Sequence, residues 1–280
     1  MEGRKYPNFI LAGIMKSGTT FLDTRLRNHP QIKMPERSMN YSFFDNDEIY
    51  NKDKRFYQNL FKDYDFDKYI VGQTSADCAF NKNSIKRIKD LIPDCKLIFI
   101  IRHPIDRINS LYWHQVSMGR EFYSIEKALK KEIYRTKKNY YSYKHYSYLA
   151  RSQYANQFKE IFKHFREKDI LIIPFEDVVK DQLKFLNIIF KFLKVEKIDD
   201  INKIITGFEK NNKARLPSYI FVAKIAFLIQ KIGFLRISRI FLNRFRVETK
   251  TPRISNNLKA KLEIILKDDI AFYNSIINKY

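Results

Sequence analysis

The chain has 280 residues, with 53 Lys and Arg against 31 Asp and Glu, so its formal net charge is +22. That length holds one large α/β domain or two small ones, and 45% hydrophobic with 15% aromatic residues excludes a disordered chain despite the charge. Two cysteines, Cys78 and Cys95, are too few for a disulfide framework or a structural zinc site. They read as small buried side chains in a reduced, cytoplasmic compartment.

Only 7 glycines, beside abundant Lys, Ile, Asn, Phe and Tyr, match the codon bias of an AT-rich genome, so part of the charge is compositional. The remainder favours an anionic partner: nucleic acid, phosphorylated nucleotide, acidic glycan or an anionic membrane face. The first apolar run, residues 9–15, leads into Lys16 rather than a small-residue cleavage site, so no secretory signal is expected. No run of 18 uncharged apolar residues exists, so no transmembrane helix is expected.

Residues 8–13 read as a buried strand and 19–28 as the helix after it. A second strand is predicted at 68–72 and a helix at 84–91. The fully apolar run 96–101 is the clearest strand, and Pro104 suits the first turn of the helix that follows. Residues 148–165 read as helix, 170–173 as strand and 182–193 as helix; beyond about 200 the strands stop and the pattern turns helical and basic. Strands alternating with helices predict an α/β fold with a parallel sheet covered on both faces. No linker, repeat or low-complexity segment marks a boundary. We therefore expect one domain over 1–280, with an α/β core at about 7–200 and a basic helical region at about 201–280.

Two clusters carry chemistry. In Gly13-Ile14-Met15-Lys16-Ser17-Gly18-Thr19-Thr20, a strand, a glycine turn, a lysine and a helix N-terminus follow one another. Backbone N–H groups of a first helical turn lack intrahelical partners and attract an anion there. The loop is not a Walker A sequence, because the lysine precedes the second glycine. In Arg102-His103-Pro104-Ile105-Asp106-Arg107-Ile108-Asn109-Ser110, Arg102 stands at a strand's carboxyl end, where parallel sheets bind ligands, and Ser110 lies about two turns along the next helix. One anion on the loop and another on the Arg/Ser pair describe a ligand with two separated phosphates.

Together these residues resemble the sulfotransferases that use 3′-phosphoadenosine 5′-phosphosulfate (PAPS), in their bacterial and Golgi-type carbohydrate flavour. Lys16 to Thr20 match that family's 5′-phosphosulfate loop, and Arg102 with Ser110 its 3′-phosphate motif. The likeness extends to His29-Pro30, Tyr112-Trp113-His114-Gln115, Gly119-Arg120-Glu121 and Asn212-Lys213-Ala214-Arg215-Leu216-Pro217, over roughly 7–217. It implies a P-loop-like three-layer fold, PAPS as co-substrate, no metal, and a glycan or glycolipid acceptor. It also implies Lys16 on the bridging and 5′-phosphate oxygens, with Lys213 and Arg215 closing over the 3′-phosphate or meeting an acidic acceptor.

The base that takes the acceptor's proton departs from the family pattern. Where relatives carry Glu before an aromatic pair, alignment on Phe43-Phe44 reaches Asn40 and alignment on Met39-Asn40-Tyr41 reaches Ser38; neither is a base. Glu36 and His114 are the candidates that remain. Gln73-Thr74 likewise stands where relatives often have a charged pair. Two rivals are a P-loop kinase using ATP, disfavoured by the loop and by Arg102 where an Asp would hold metal, and a basic nucleic-acid-binding protein, for which no sequence signature is present. Residues 211–253 hold ten Lys and Arg and one acid, Glu248. Within them, 219–242 reads either as a helix packing its apolar stripe on the sheet or as one lying in an anionic membrane interface, on the inner face for a cytoplasmic protein.

Overall fold

A computed structural model describes residues 6–36, 42–51, 54–204, 214–218 and 220–280. They fall into two compact units that alternate along the chain. The first comprises Met1–Arg102, Tyr154–Phe208 and Ala271–Tyr280; the second comprises His103–Gln153 and Glu209–Ile270.

The first unit is built on five parallel strands: β1 (Phe9–Gly13), β2 (Ile32–Lys33), β3 (Ile70–Thr74), β4 (Lys96–Ile101) and β5 (Ile170–Pro174), in the order β2-β3-β1-β4-β5. Alternate residues of each central strand feed opposite cores. Ile10, Leu97 and Phe99 join the helices Ser84–Leu91, Tyr154–His164 and Lys267–Ile277 on one face; Leu11, Ile98 and Ile100 join Thr19–Arg27 and Gln182–Leu193 on the other. Burial on both sides is why these strands read as unbroken apolar runs. The result is the three-layer α/β arrangement expected. Close packing dictates one sequence choice in β3. Gly72 is in register with Phe9, and a Cβ there would meet the Phe9 ring at 2.1 Å.

The order places β1 between β3 and β4. The chain therefore leaves β1 toward one edge and returns to β4 on the other side, which makes the carboxyl ends of β1 and β4 the switch point where such sheets take ligands.

Three sequence expectations shift, each for a local reason. The second strand starts at Ile70 rather than 68, because the Asp65 carboxylate accepts the N–H groups of Asp67 and Lys68 at 3.0 and 3.1 Å and holds that stretch in a turn. The helix expected from 148 starts at Tyr154; the N–H groups of Leu149 and Ala150 go instead to the Glu132 carboxylate at 2.7 and 2.9 Å. Strands also continue past 200. β6 (Ala214–Pro217) pairs antiparallel with β7 (Arg246–Thr249), bracketing the helices Ile220–Lys231 and Leu235–Arg244 in an otherwise helical C-terminal part.

In the second unit, Glu121 is buried and fully engaged. Its carboxylate accepts from the N–H of Phe122, the Tyr148 hydroxyl at 2.8 Å and the Arg135 guanidinium at 2.5 Å. A buried charge satisfied in this way organises packing rather than chemistry.

His29 settles the turn between Thr19–Arg27 and β2. Its Nδ1 accepts the Gln31 N–H at 3.2 Å, so the ring proton is on Nε2, which donates to the Glu196 carbonyl at 3.0 Å. A second proton would have to sit on Nδ1, facing an N–H. Burial also lowers the imidazole pKa below its ordinary value, so between that lowered pKa and about 6.5 the unfolded chain binds a proton that the folded ring refuses. Stability should fall as pH drops below about 6.5, by up to about 1.4 kcal/mol per pH unit from this group. Urea melts of wild type and His29→Asn from pH 8 to 5 should show the shallower decline in the variant; parallel curves would leave the histidine without this role.

Candidate active site

β1 ends at Gly13, and the loop that follows folds back tightly into the Thr19–Arg27 helix. Lys16 (φ 71°) and Gly18 (φ 99°) both adopt left-handed backbone, on either side of Ser17. For a residue with a Cβ this conformation costs on the order of 1 kcal/mol or more, so Lys16 is held there by its surroundings. Gly18 is the residue before the helix, and no side chain caps the first turn. The N–H groups of that turn thus face outward for an anion. Ser17 is buried, and its hydroxyl has no hydrogen-bond partner among the described residues. Thr19 is also buried, whereas Thr20 is exposed.

Arg102 directly follows β4. Its carbonyl accepts the Tyr154 hydroxyl at 3.0 Å, and its Nε lies 3.8 Å from Glu176 Oε1 with no hydrogen bond of its own. Glu176 is itself positioned by Tyr273, whose hydroxyl donates to Oε2 at 2.6 Å. Burial and that carboxylate hold the Tyr273 hydroxyl well above its usual pKa, so it stays a donor.

The loop and the arginine meet around Phe175, the first residue after β5. Its ring lies 5.4 Å from the Arg102 guanidinium, and a Cβ on Gly18 would approach it to 2.4 Å. The two cations sense each other: burial first, and the Arg102 charge second, push the Lys16 ammonium below its ordinary pKa. No carboxylate pairs with Lys16 among the described residues. A hydroxyl without a partner among the described residues, an uncapped helix start and a largely buried Lys16 beside a second cation would all be satisfied by the same thing, an anion. The phosphates and sulfate of PAPS fit that requirement.

The remaining expected residues are distributed as follows. Ser110 and His114 lie on the helix Pro104–Ser117 of the second unit, both half-buried, two and three turns beyond Arg102 in sequence. Arg215, on β6, is exposed and pairs with Glu248 at 3.1 Å. Glu36 is exposed and close enough to Tyr64 to help hold that hydroxyl above its usual pKa, after burial. Lys213, Ser38 and Asn40 lie outside the described residues. Gln73 and Thr74 have structural partners: the Gln73 amide oxygen accepts from Tyr57, and Thr74 donates at 2.7 Å to Asp23, which also binds Arg27 at 2.8 Å. Among the described residues no group of three or more His, Cys, Asp or Glu is arranged to hold a metal.

Sequence reasoning missed Phe175, Glu176 and Tyr273. The first two carry the same signal that marks Arg102, a position just past the carboxyl end of a parallel strand. The Gly18–Phe175 contact is testable. Gly18→Ala should cost about 1–3 kcal/mol, from the left-handed backbone and the clash together. With Phe175→Leu in the background the cost should shrink, giving a non-additive double-mutant cycle by urea denaturation. Additive losses would mean that the ring does not press on the loop.

Comparisons with known proteins point the same way. Residues 6–224 match the family described as Sulfotransferase domain. The chain is 33% identical over 108 residues to the membrane-associated sulfotransferase kil1 of Dictyostelium discoideum, covering 38% of this chain and 22% of that protein. It is 28% identical over 114 residues to heparan sulfate glucosamine 3-O-sulfotransferase 6 of mouse and human, covering 41% and 32%. It thus matches about a fifth to a third of the length of these relatives. A crystal structure of a sulfotransferase from Alicyclobacillus acidocaldarius aligns with a TM-score of 0.61 at 25% identity, covering 85% of this chain and 95% of that one. With the family match running from ahead of β1 into the helix after β6, and with both anion motifs inside it, the chain belongs to the PAPS-dependent sulfotransferase family.

Proposed function

We propose that the chain transfers the sulfuryl group of PAPS to a hydroxyl or amine of a glycan or glycolipid, in the cytoplasm. The observation that carries the reading is the approach of Lys16 and Arg102 at the carboxyl ends of β1 and β4, next to a loop whose buried Ser17 hydroxyl has no partner among the described residues. A bound PAPS supplies an activated sulfuryl group on a phosphate leaving group. Toward it, Lys16 offers positive charge at the bridging and 5′-phosphate oxygens, where negative charge grows during transfer. Ser17, Gly18, Thr19 and Thr20 cradle the phosphosulfate with N–H and hydroxyl groups. Arg102 takes the 3′-phosphate; Ser110, Lys213 and Arg215 are assigned to the donor by the family resemblance alone. The acceptor's proton passes to Glu36 or His114. Glu36 is favoured, because it lies on the segment where relatives carry their base.

The excess of positive charge and the heparan sulfate relatives support an acidic glycan as acceptor. The ATP-kinase alternative has two features against it: the loop lacks the G-x-x-x-x-G-K-[ST] layout, and an arginine follows β4 where a metal-holding acid is wanted.

Adenosine 3′,5′-bisphosphate should stabilise the chain by about 2.7 kcal/mol at a hundredfold excess over Kd, while ADP and 5′-AMP should shift Tm far less. Lys16→Ala and Arg102→Ala should each remove most of that shift. An equal shift with ATP would overturn the assignment. With labelled PAPS, transfer should appear on acidic or lipid-linked glycans rather than on simple phenols, and transfer to phenols alone would exclude the glycan acceptor. On the true acceptor, Glu36→Gln should slow turnover by about 10²–10⁴ while the bisphosphate shift persists, with His114→Ala as the comparison.

A further inference from the structure

We propose that the helical pair Ile220–Lys231 and Leu235–Arg244 is a docking face for an anionic lipid bilayer. The proposal does not depend on the donor or the acceptor of the reaction.

The first helix is amphipathic in the outward sense. Val222, Ala223 and Ala226 are buried, and Leu242 of the second helix packs with Val222 and Ala226. The opposite stripe, Ile225, Leu228 and Ile232, follows helical i, i+3, i+7 spacing and is 39, 53 and 69% exposed. The apolar surface continues around the turn through Phe234 and Leu235 to Ile237 and Ile240 on the second helix, the last 70% exposed. The stripe is therefore not consumed by the core. Monomeric soluble proteins rarely leave a contiguous apolar surface of this kind without a partner.

Charge selects the partner. Lys224 and Lys231 border the stripe on the first helix, and Arg236, Arg239 and Arg244 are exposed on the second. From Ala214 to Val247 the sequence contains no Asp or Glu. A second copy of the same face would set cations against cations, as would any basic partner. A bilayer with anionic headgroups accepts both features at once: apolar side chains enter the headgroup–acyl boundary, and the long basic side chains reach outward to phosphate. At 12 and 10 residues the helices are too short to span, and no helix of the described residues is long and apolar enough to cross a membrane. The face lies on the bilayer rather than through it.

A chain of +22 adsorbs on any negative surface, so the test must separate insertion from adsorption. The full chain is co-sedimented with vesicles of phosphatidylcholine alone and of phosphatidylcholine with phosphatidylglycerol, at low and high salt. Binding should require the anionic lipid and weaken with salt. Arg236→Glu with Arg239→Glu should weaken it about tenfold or more. Lys159→Glu with Lys191→Glu, which changes net charge equally at exposed positions in the first unit, should weaken it much less. Ile232→Ser with Ile240→Ser, which leaves the charge intact, should also weaken it several-fold, with thermal melts confirming that each variant is folded. Absence of binding to anionic vesicles at low salt overturns the proposal. So does binding that ignores the isoleucine changes and falls equally for both charge pairs, which is plain adsorption. A dimer by light scattering that is lost in the isoleucine variant, with vesicle binding unchanged, would instead make the face a self-interface and overturn it as well.

Discussion

The structure turns on two like charges held near each other, with a carboxylate near Arg102 and none pairing with Lys16 among the described residues. Lys16 stands in left-handed backbone after β1, Arg102 stands immediately after β4, and β1 and β4 are hydrogen-bonded neighbours, so the sheet order alone brings both cations to one edge. Burial and the nearby guanidinium each lower the tendency of Lys16 to hold its proton. That arrangement opposes folding unless something compensates, and Glu176 reaches only Arg102, at a distance too long for a hydrogen bond. An anionic ligand relieves the repulsion, fills the uncapped helix turn and gives the Ser17 hydroxyl a partner in one event. Groups arranged in advance for an anion in this way are what a preorganised site uses to stabilise negative charge.

Aromatic rings are the tool that fixes this edge. In a chain with 24 Phe and only 7 Gly, two of the glycines stand where a ring comes close to backbone. Phe9 lies over Gly72 inside the sheet, and Phe175 lies over Gly18 at the site while also facing Arg102. Phe175 therefore sets the height of the loop and the position of the guanidinium together. On the other face Phe43, Phe44, Tyr57 and Phe61 pack ring to ring with centroids 4.4 to 5.2 Å apart, and Tyr57 carries a hydrogen bond to Gln73 at the end of β3. The Gln73-Thr74 departure from the family's charged pair is consistent with this. Gln73 belongs to the aromatic cluster, and Thr74 anchors Asp23 of the first helix.

What the sequence discloses follows the range of the interactions. The helices Ser84–Leu91 and Gln182–Leu193 and the strand Lys96–Ile101 are readable to the residue, because apolar period and flanking polar residues are local. Lys16 to Thr20 and Arg102 are readable for the same reason: each sits in a short strand-to-helix signature. The start of β3 and the start of the Tyr154–His164 helix are not, since they depend on where the carboxylates of Asp65 and Glu132 send their hydrogen bonds, the second of these across 17 residues. Phe175, Glu176 and Tyr273 escape for a stronger version of that reason. Their role exists only once β5 is known to lie beside β4 and the C-terminal helix beneath it. The base stays open because the positions where the family pattern would put it, 38 and 40, carry no titratable group.

The net charge of +22 divides into populations that behave differently. Some of the first unit's positive charge is locally matched: Lys86 with Asp90, Lys163 with Glu160 and Arg166 with Asp169 lie within 2.6 to 2.9 Å, pairs of small individual worth on a solvated surface, and Arg27 meets the buried Asp23 at 2.8 Å. Lys16 is largely buried and Arg102 half-buried, so salt screens them less than it screens exposed cations. The cations of the helical pair are many, exposed and spread along an apolar stripe, so salt screens them strongly. A composition drift toward basic residues would scatter charge without regard to acids or to the apolar pattern. The acid-free stretch from 214 to 247 instead coincides with a run of exposed apolar side chains, a coincidence that compositional drift alone does not produce.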